Sequence, residues 1–189
     1  MKTYVMIPTY NERENIGNLI QEILNLKIPD LHIVVVDDNS PDGTSEVVKN
    51  VSAEHAEVEL LLRTTRRGRG SAGIDGFKYA LEHGADYVVE MDADFSHHPR
   101  YIPSFLEAIQ ETDMVIGSRF VAGGRDVNRG IVRRVITFLA SVYVRILLGL
   151  RIQDVSSGYR CFKRKVLEAI ALDSMISTGP SIVSEVFYR

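Results

Sequence analysis

The chain reads as a single α/β domain: a mostly parallel β-sheet flanked by helices. Three observations carry that reading. Short apolar runs alternate with segments of helical periodicity along the first two thirds of the sequence. Two of those runs end abruptly in paired acids, Ile33–Val36 in Asp37 and Asp38, and Tyr87–Met91 in Asp92 and Asp94. Proline and glycine turns fall between the runs and not inside them.

Taken in order, Thr3 to Pro8 forms the first strand and stops at proline, which has no N–H for a central ladder. Ile16, Leu19, Ile20, Ile23 and Leu24 then make a helical stripe across residues 15–25. Ile33 to Asp37 is the second strand. Ser40-Pro41-Asp42-Gly43 is a turn that opens a helix from Thr44 to Val51. Val58 to Leu62 is a third strand, Ser71 to Glu82 a helix ended by Gly84, and Tyr87 to Met91 a fourth strand. A helix over Pro103–Gln110 and a strand over Met114–Gly117 follow. Right-handed crossovers place the carboxyl ends of such strands along one rim, where α/β proteins bind ligands. Beyond Phe120 the pattern changes. Val121 to Gly124 is a loop, and Ile131 to Leu150 an apolar helix interrupted by Arg133, Arg134 and Arg145. Those arginines argue against a span and for an interfacial helix, a groove-closing helix or a core helix with snorkelling arginines. Ser157 to Phe162 reads as another strand and Arg164 to Ala171 as another helix.

Composition is that of an ordinary globular protein, 45% apolar and 25% charged. One cysteine, Cys161, excludes an intrachain disulfide framework. The start, Met1-Lys2-Thr3, leads straight into a strand and offers no signal peptide. The formal net charge of −3 conceals an asymmetry: residues 119–165 carry +9 and the remainder −12. Most of those cations are arginines, suited to forked contacts with phosphate, so a second anionic partner is expected there. A lipid-binding module without catalysis and a nucleic-acid binder are the competing uses. The arginine run Arg63, Arg66, Arg67 and Arg69 lacks interleaved stacking aromatics, which argues against nucleic acid. Arg66 or Arg63 is placed beside a nucleotide; Arg67 and Arg69 are read as a solvated basic loop.

Asp92 and Asp94 are the expected centre. Two carboxylates so close repel each other and call for a hard divalent cation carrying a diphosphate, Mg2+ or Mn2+. Ser96 is the candidate third ligand. A zinc site using His97 and His98 is disfavoured by the oxygen-rich donor set. The loop after the first strand offers Tyr10, Asn11 and Glu12, with Asn11 or Asn15 as helix cap and Glu12 serving the helix dipole as the alternative use. Asp38 stands where α/β proteins often hold a ribose or base. No glycine-rich phosphate cradle is present, so metal and arginine have to neutralise a diphosphate.

Ile7-Pro8-Thr9-Tyr10-Asn11-Glu12, Val35 to Thr44, Met91 to Pro99, Gly117-Ser118-Arg119-Phe120 and Asp154 to Arg160 occur in that order. Together they resemble family 2 glycosyltransferases of the Rossmann-like GT-A fold, and within them the dolichol-phosphate and polyprenol-phosphate mannose synthases. The resemblance spans nearly the whole chain and treats residues 1–189 as one catalytic domain. It implies a nucleotide-sugar half over residues 1–118 and an acceptor half over 119–189. It implies inverting, metal-dependent transfer of mannose from GDP-mannose to a polyprenyl (dolichyl) phosphate, by a cytosolic enzyme held peripherally at a membrane surface or by an anchor subunit. Another family 2 activity, using UDP-glucose or another acceptor, is the alternative. By motif, Pro8, Thr9, Tyr10, Glu12, Val36, Asp38 and Arg66 line the nucleotide, and Asp92, Ala93 and Asp94 meet the diphosphate and the metal. Arg119, Arg133 and Thr137 fall where the family grips the acceptor phosphate. Asp154 is assigned to a sugar hydroxyl or to a base. Family chains continue past the Gly179–Glu185 region, so the resemblance implies a shortened chain or a minimal member, with Pro180 where an aromatic is usual.

Overall fold

The computed structural model describes residues 1–65, 68–121, 142, 143, 146, 149, 152, 154–177, 179 and 181–189. Six strands form one sheet in the order β3-β2-β1-β4-β6-β5. They are β1 (Thr3–Thr9), β2 (Leu31–Asp37), β3 (Val58–Leu62), β4 (Tyr87–Glu90), β5 (Met114–Ile116) and β6 (Arg160–Lys163). The described helices are α1 (Arg13–Leu24), α2 (Thr44–Glu54), α3 (Arg69–Glu82), α4 (Ile102–Ala108), α5 (Arg164–Ala169) and α6 (Ile182–Tyr188). The apolar helix expected over residues 131–150 lies, for the most part, outside the described residues.

The strand interiors are apolar without a break because both faces are covered. Val5, Ile7, Ile33 and Val35 point to one core, shared with Ile16, Leu19, Ile20 and Ile23 of α1 and Val48 of α2. Tyr4, Met6, Val34 and Val36 point to the other, shared with Phe77 of α3, Leu167 of α5 and Val183 of α6. The two-residue period of the strand sorts neighbours onto opposite faces.

β1 pairs in parallel with β2 and β4, and β2 with β3, so the carboxyl ends of four strands share an edge. β6 enters between β4 and β5, antiparallel to both. It belongs to the acceptor half of the sequence reading yet sits inside the sheet of the nucleotide-sugar half. The strand predicted over residues 157–162 therefore begins later, at Arg160.

α3 lies close on the sheet because Gly76 has no side chain. A Cβ there would stand 2.5 Å from Cγ of Met6 and 2.9 Å from Cγ2 of Val36, both buried. Gly76→Val is expected to destabilise the fold by about 1–3 kcal/mol through overpacking. Urea unfolding followed by circular dichroism measures it; an unchanged midpoint would mean that the helix shifts freely.

Candidate active site

β4 ends at Glu90, one residue before the predicted Met91, so Asp92 and Asp94 both lie beyond the strand. They occupy the loop that follows, which turns sharply at Phe95 with φ +60°. Asp92 is half-buried, Ala93 buried and Asp94 exposed. Asp94 Oδ1 accepts the Ser96 N–H at 3.0 Å. Burial pushes the Asp94 carboxyl up, but hydrogen bonds from the Ser96 hydroxyl and N–H outweigh it and hold the group below the usual carboxylate range. Ser96 thus serves Asp94 directly, and its hydroxyl is turned to that carboxylate.

Arg69 reverses the reading of a solvated loop residue. It opens α3, and its guanidinium reaches Asp92 Oδ1 through Nη2 at 2.6 Å and Nε at 3.2 Å. Its Nη1 lies 3.6 Å from Glu90 Oε1. Glu90 is 1% exposed and bonds through Oε2 to Arg160, which is 0% exposed. His97 completes the group: its Nδ1 accepts the Asp92 backbone N–H at 2.9 Å, and its ring stacks on Tyr159 at 5.0 Å. Burial pushes the His97 imidazole down, against the pull of Asp92 and Asp94. A neutral imidazole with an acceptor at Nδ1 holds the loop and is not a base-in-waiting. His98 accepts the Arg100 N–H at the start of the short 3-10 turn Pro99–Tyr101.

The loops after β1 and β2 are stitched together. The Asn11 N–H donates to Ser40 Oγ at 2.9 Å, the Glu12 N–H to Thr44 Oγ1 at 2.9 Å, and the Arg13 N–H to Asp42 Oδ2 at 3.0 Å. Asp42, not Asn11 or Asn15, therefore serves the first turn of α1; Asn15 donates its amide to Glu12 Oε2. Tyr10 is exposed, Pro8 partly buried, and Thr9 and Val36 buried beside it. Asp37 is buried in local bonds from Thr9 and Ser40. Asp38 accepts Arg63 Nη1 and the Gly68 N–H, both at 2.6 Å. Arg63 also meets Asp75 at 2.9 Å and Ser71 at 2.6 Å and is buried, so it braces the loop rather than standing beside a ligand. Arg66 lies outside the described residues. Arg63 and Gly68 thus hold the acidic end of β2, and Arg69 the acidic end of β4.

Arg119 is anchored, not loose: Nε and Nη2 bond Asp154 at 3.0 and 2.9 Å, and Nη2 bonds Ser156 Oγ at 2.6 Å. Asp154 is 0% exposed. Burial pushes its carboxyl up, but the Arg119 bonds prevail and hold it below the ordinary range. Such a carboxylate positions an arginine and is a poor proton acceptor. Each of the five described cations between 119 and 165 is paired: Arg119 with Asp154, Arg160 with Glu90, Lys163 and Lys165 with Asp113, and Arg164 with Glu168. These five cations are therefore matched by acids within the chain. Arg133 and Thr137 lie outside the described residues. An open pocket borders this region, lined by Arg69, Asp92, Val155, Ser156, Gly158, Val183 and Ser184.

Asp92 and Asp94 fit a hard divalent cation as an incomplete seat. Asp92 Oδ2 takes no hydrogen bond from the described residues, and the neutral His97 ring stands beside it, Nδ1 at 3.7 Å. No group of three or more His, Cys, Asp or Glu is arranged to hold a metal among the described residues. Mg2+ and Mn2+ accept such seats, because substrate phosphates and waters supply the remaining ligands.

A family model for glycosyl transferase family 2 matches residues 4–171. The chain belongs to that family. It is 42% identical over 189 residues to an undecaprenyl-phosphate mannosyltransferase from Micrococcus luteus, spanning all of this chain and 77% of the relative. It is 42% identical over 180 residues to a polyprenol monophosphomannose synthase from Mycolicibacterium smegmatis, covering 94% of this chain and 68% of the other. Among solved structures, a glucosyl-3-phosphoglycerate synthase from Mycobacterium tuberculosis, held with Mn2+, UDP-glucose and glycerol 3-phosphate, superposes with a TM-score of 0.68 at 20% identity, over 98% of this chain and 63% of that one. A mannosyltransferase from Pyrobaculum calidifontis with GDP-Man and Mn2+ gives 0.57 at 23% identity, over 90% and 46%. The glycosyltransferase fold and membership of this enzyme family follow.

Proposed function

We propose that this glycosyltransferase moves mannose from GDP-mannose to a polyprenyl phosphate, with inversion and with Mg2+ or Mn2+ at Asp92 and Asp94. The observation that carries the reading is the half-open Asp92 and exposed Asp94 at the end of β4, on the edge shared with the loops after β1 and β2. The names of the mannosyltransferase relatives support the sugar and the lipid phosphate. GDP-Man and Mn2+ in the Pyrobaculum neighbour support the donor and the metal.

Residues 1–118 take the donor side: Pro8, Thr9, Tyr10, Glu12, Val36, Asp38 and Arg66 at the nucleotide, and Asp92, Ala93 and Asp94 at the diphosphate. Residues 119–189 take the acceptor side, with Arg119, Arg133 and Thr137 at its phosphate. A bound divalent cation neutralises the departing diphosphate. The acceptor phosphate is anionic at neutral pH, so it needs placement and charge compensation more than a base. Arg119, fixed by Asp154, supplies both without rearranging. In a single displacement the phosphate oxygen bonds the anomeric carbon as the bond to the GDP oxygen breaks, which inverts that carbon. A polyprenyl acceptor resides in a bilayer, so the enzyme works at the cytosolic membrane face or on an anchor subunit. Phe120 and Val121, exposed beside Arg119, suit that surface. No helix among the described residues is long and apolar enough to cross a membrane.

The test is transfer of labelled mannose from GDP-mannose to undecaprenyl phosphate in detergent, with Mg2+, Mn2+ or chelator, and UDP-glucose as competing donor. The expected product is mannosyl-phosphoundecaprenol, formed only with metal. Transfer from UDP-glucose alone, or to a sugar hydroxyl in preference to the lipid phosphate, would overturn the reading.

A further inference from the structure

Asp92 has a cation on it before any metal arrives. Arg69 holds Oδ1 with two N–H groups, and Glu90, the other acid near it, is already matched by Arg160. Asp92 is thus the acid that Arg69 bonds directly, while Glu90 is shared with Arg160. Space for the guanidinium is built in. Gly158 faces it, and a Cβ at that glycine would stand 2.4 Å from Nη2. The arrangement is not fully satisfied, because Nη1 is buried with no hydrogen-bond partner. An orphaned donor of this kind favours movement toward an incoming anion. The guanidinium also lines the open pocket with Asp92, Ser156 and Ser184.

We propose that Arg69 is a positioning residue that couples metal to nucleotide: it serves as resident counter-ion of Asp92, opposes binding of a bare divalent cation, and turns toward the diphosphate when both arrive. The coupling rests on the donor reading above. Its physical basis is charge. With Arg69 present the Asp92/Asp94 pair offers a dication a net charge near −1, and without it near −2. One unit charge a few ångströms from a dication changes affinity by at least about tenfold. A diphosphate reverses the penalty, since its oxygens accept from the guanidinium while they ligate the metal. Linkage then requires that each ligand tighten the other equally.

Calorimetry with Mn2+ alone, GDP alone and GDP with Mn2+ tests this without turnover, beside electron paramagnetic resonance of free Mn2+. In the wild type, Mn2+ alone is expected to bind weakly and GDP to tighten it. Arg69→Met is expected to bind Mn2+ alone at least about tenfold tighter, and the mutual enhancement by GDP to shrink. Gly158→Ala, whose methyl expels the guanidinium, is expected to do the same to a lesser degree with Arg69 still present; far-ultraviolet circular dichroism and melting confirm that each variant is folded. Unchanged or weaker Mn2+ binding in both folded variants, with GDP still bound by the wild type, overturns the role of Arg69 alone. Failure of the wild type to bind GDP under any metal overturns the donor reading, and this coupling with it.

Discussion

Asp94→Ala is expected to lower kcat/KM for mannose transfer by about 10²–10³-fold while leaving the fold intact. Both halves of that statement come from geometry. Asp94 is exposed, and among the described residues its side-chain hydrogen bonds come from Ser96, two residues on, so its loss strands no buried partner there. The catalytic half follows from the seat: Arg69 already matches Asp92, so removing Asp94 takes away most of the net negative charge that the pair offers a dication neutralising the leaving diphosphate. Charge stabilisation by a bound metal is worth several kcal/mol, and each 1.36 kcal/mol is tenfold in rate. Asp92 is the less clean probe, because its removal also strands Arg69. Asp94→Asn keeps the steric outline and an acceptor for the Ser96 N–H, yet is expected to lose nearly as much, since an amide oxygen carries no net charge. Steady-state kinetics over a Mn2+ titration reads the effect, with the melting temperature as the control. Full activity in Asp94→Ala at limiting Mn2+ would remove the metal seat from this pair.

The acids at the ends of β2 and β4 were legible in the sequence because a charge that interrupts an apolar run has few structural uses. The parallel core was legible for the same reason: continuous runs such as Ile33–Val36 require cover on both faces. What the sequence hid was pairing at a distance. Glu90 reads as the fraying end of a strand, and only the fold brings it against Arg160, seventy residues on. Arg69 reads as one of four arginines in a basic loop, and only the juxtaposition of α3 with β4 gives it Asp92. The antiparallel entry of β6 escaped for a related reason. Alternating strands and helices specify parallel neighbours, but a strand arriving after a long intervening segment can enter from either direction, and local periodicity is blind to that choice. One clue was available. Asp154 and Arg160 flank Ser156-Ser157-Gly158, and a glycine between charged residues marks a close approach, here that of Arg69.

These long-range pairs form a continuous electrostatic frame beneath the rim. Asp38 holds Arg63 and Gly68, Arg69 follows Gly68 and holds Asp92, and Glu90 lies between Arg69 and Arg160. Its polarity alternates, so Asp38, Glu90 and Asp92 each have a cation before any ligand binds, and Arg69, with Nη1 unbonded, is its least satisfied member. Asp94 is exposed and Asp92 Oδ2 takes no hydrogen bond from the described residues, so these are the oxygens proposed to take a cation.

Glu90→Gln is expected to destabilise the protein by about 3–5 kcal/mol, the range for breaking a buried ion pair by removing one partner. Arg160 is fully buried, and its other contacts are the Val183 carbonyl at 3.3 Å and the faces of Phe162 and Phe187 at 5.2 and 5.3 Å. Neutralising Glu90 leaves that guanidinium without its buried counter-charge. For a chain of this size each kcal/mol lowers Tm by about 2–4 °C, so a fall of about 10 °C is expected. The double variant Glu90→Leu with Arg160→Met removes both charges at once and is expected to recover much of the loss, because apolar replacements of similar volume need no desolvation. Its transfer activity is expected to stay low even where stability returns, since Arg69 then loses the acid that lies 3.6 Å from its Nη1 and no longer holds Asp92 in register. Thermal unfolding by circular dichroism and mannose transfer, measured on the same samples, separate the two effects. A Glu90→Gln protein within about 1 kcal/mol of wild type would mean that water reaches Arg160 and that the frame under the rim is not held by this pair.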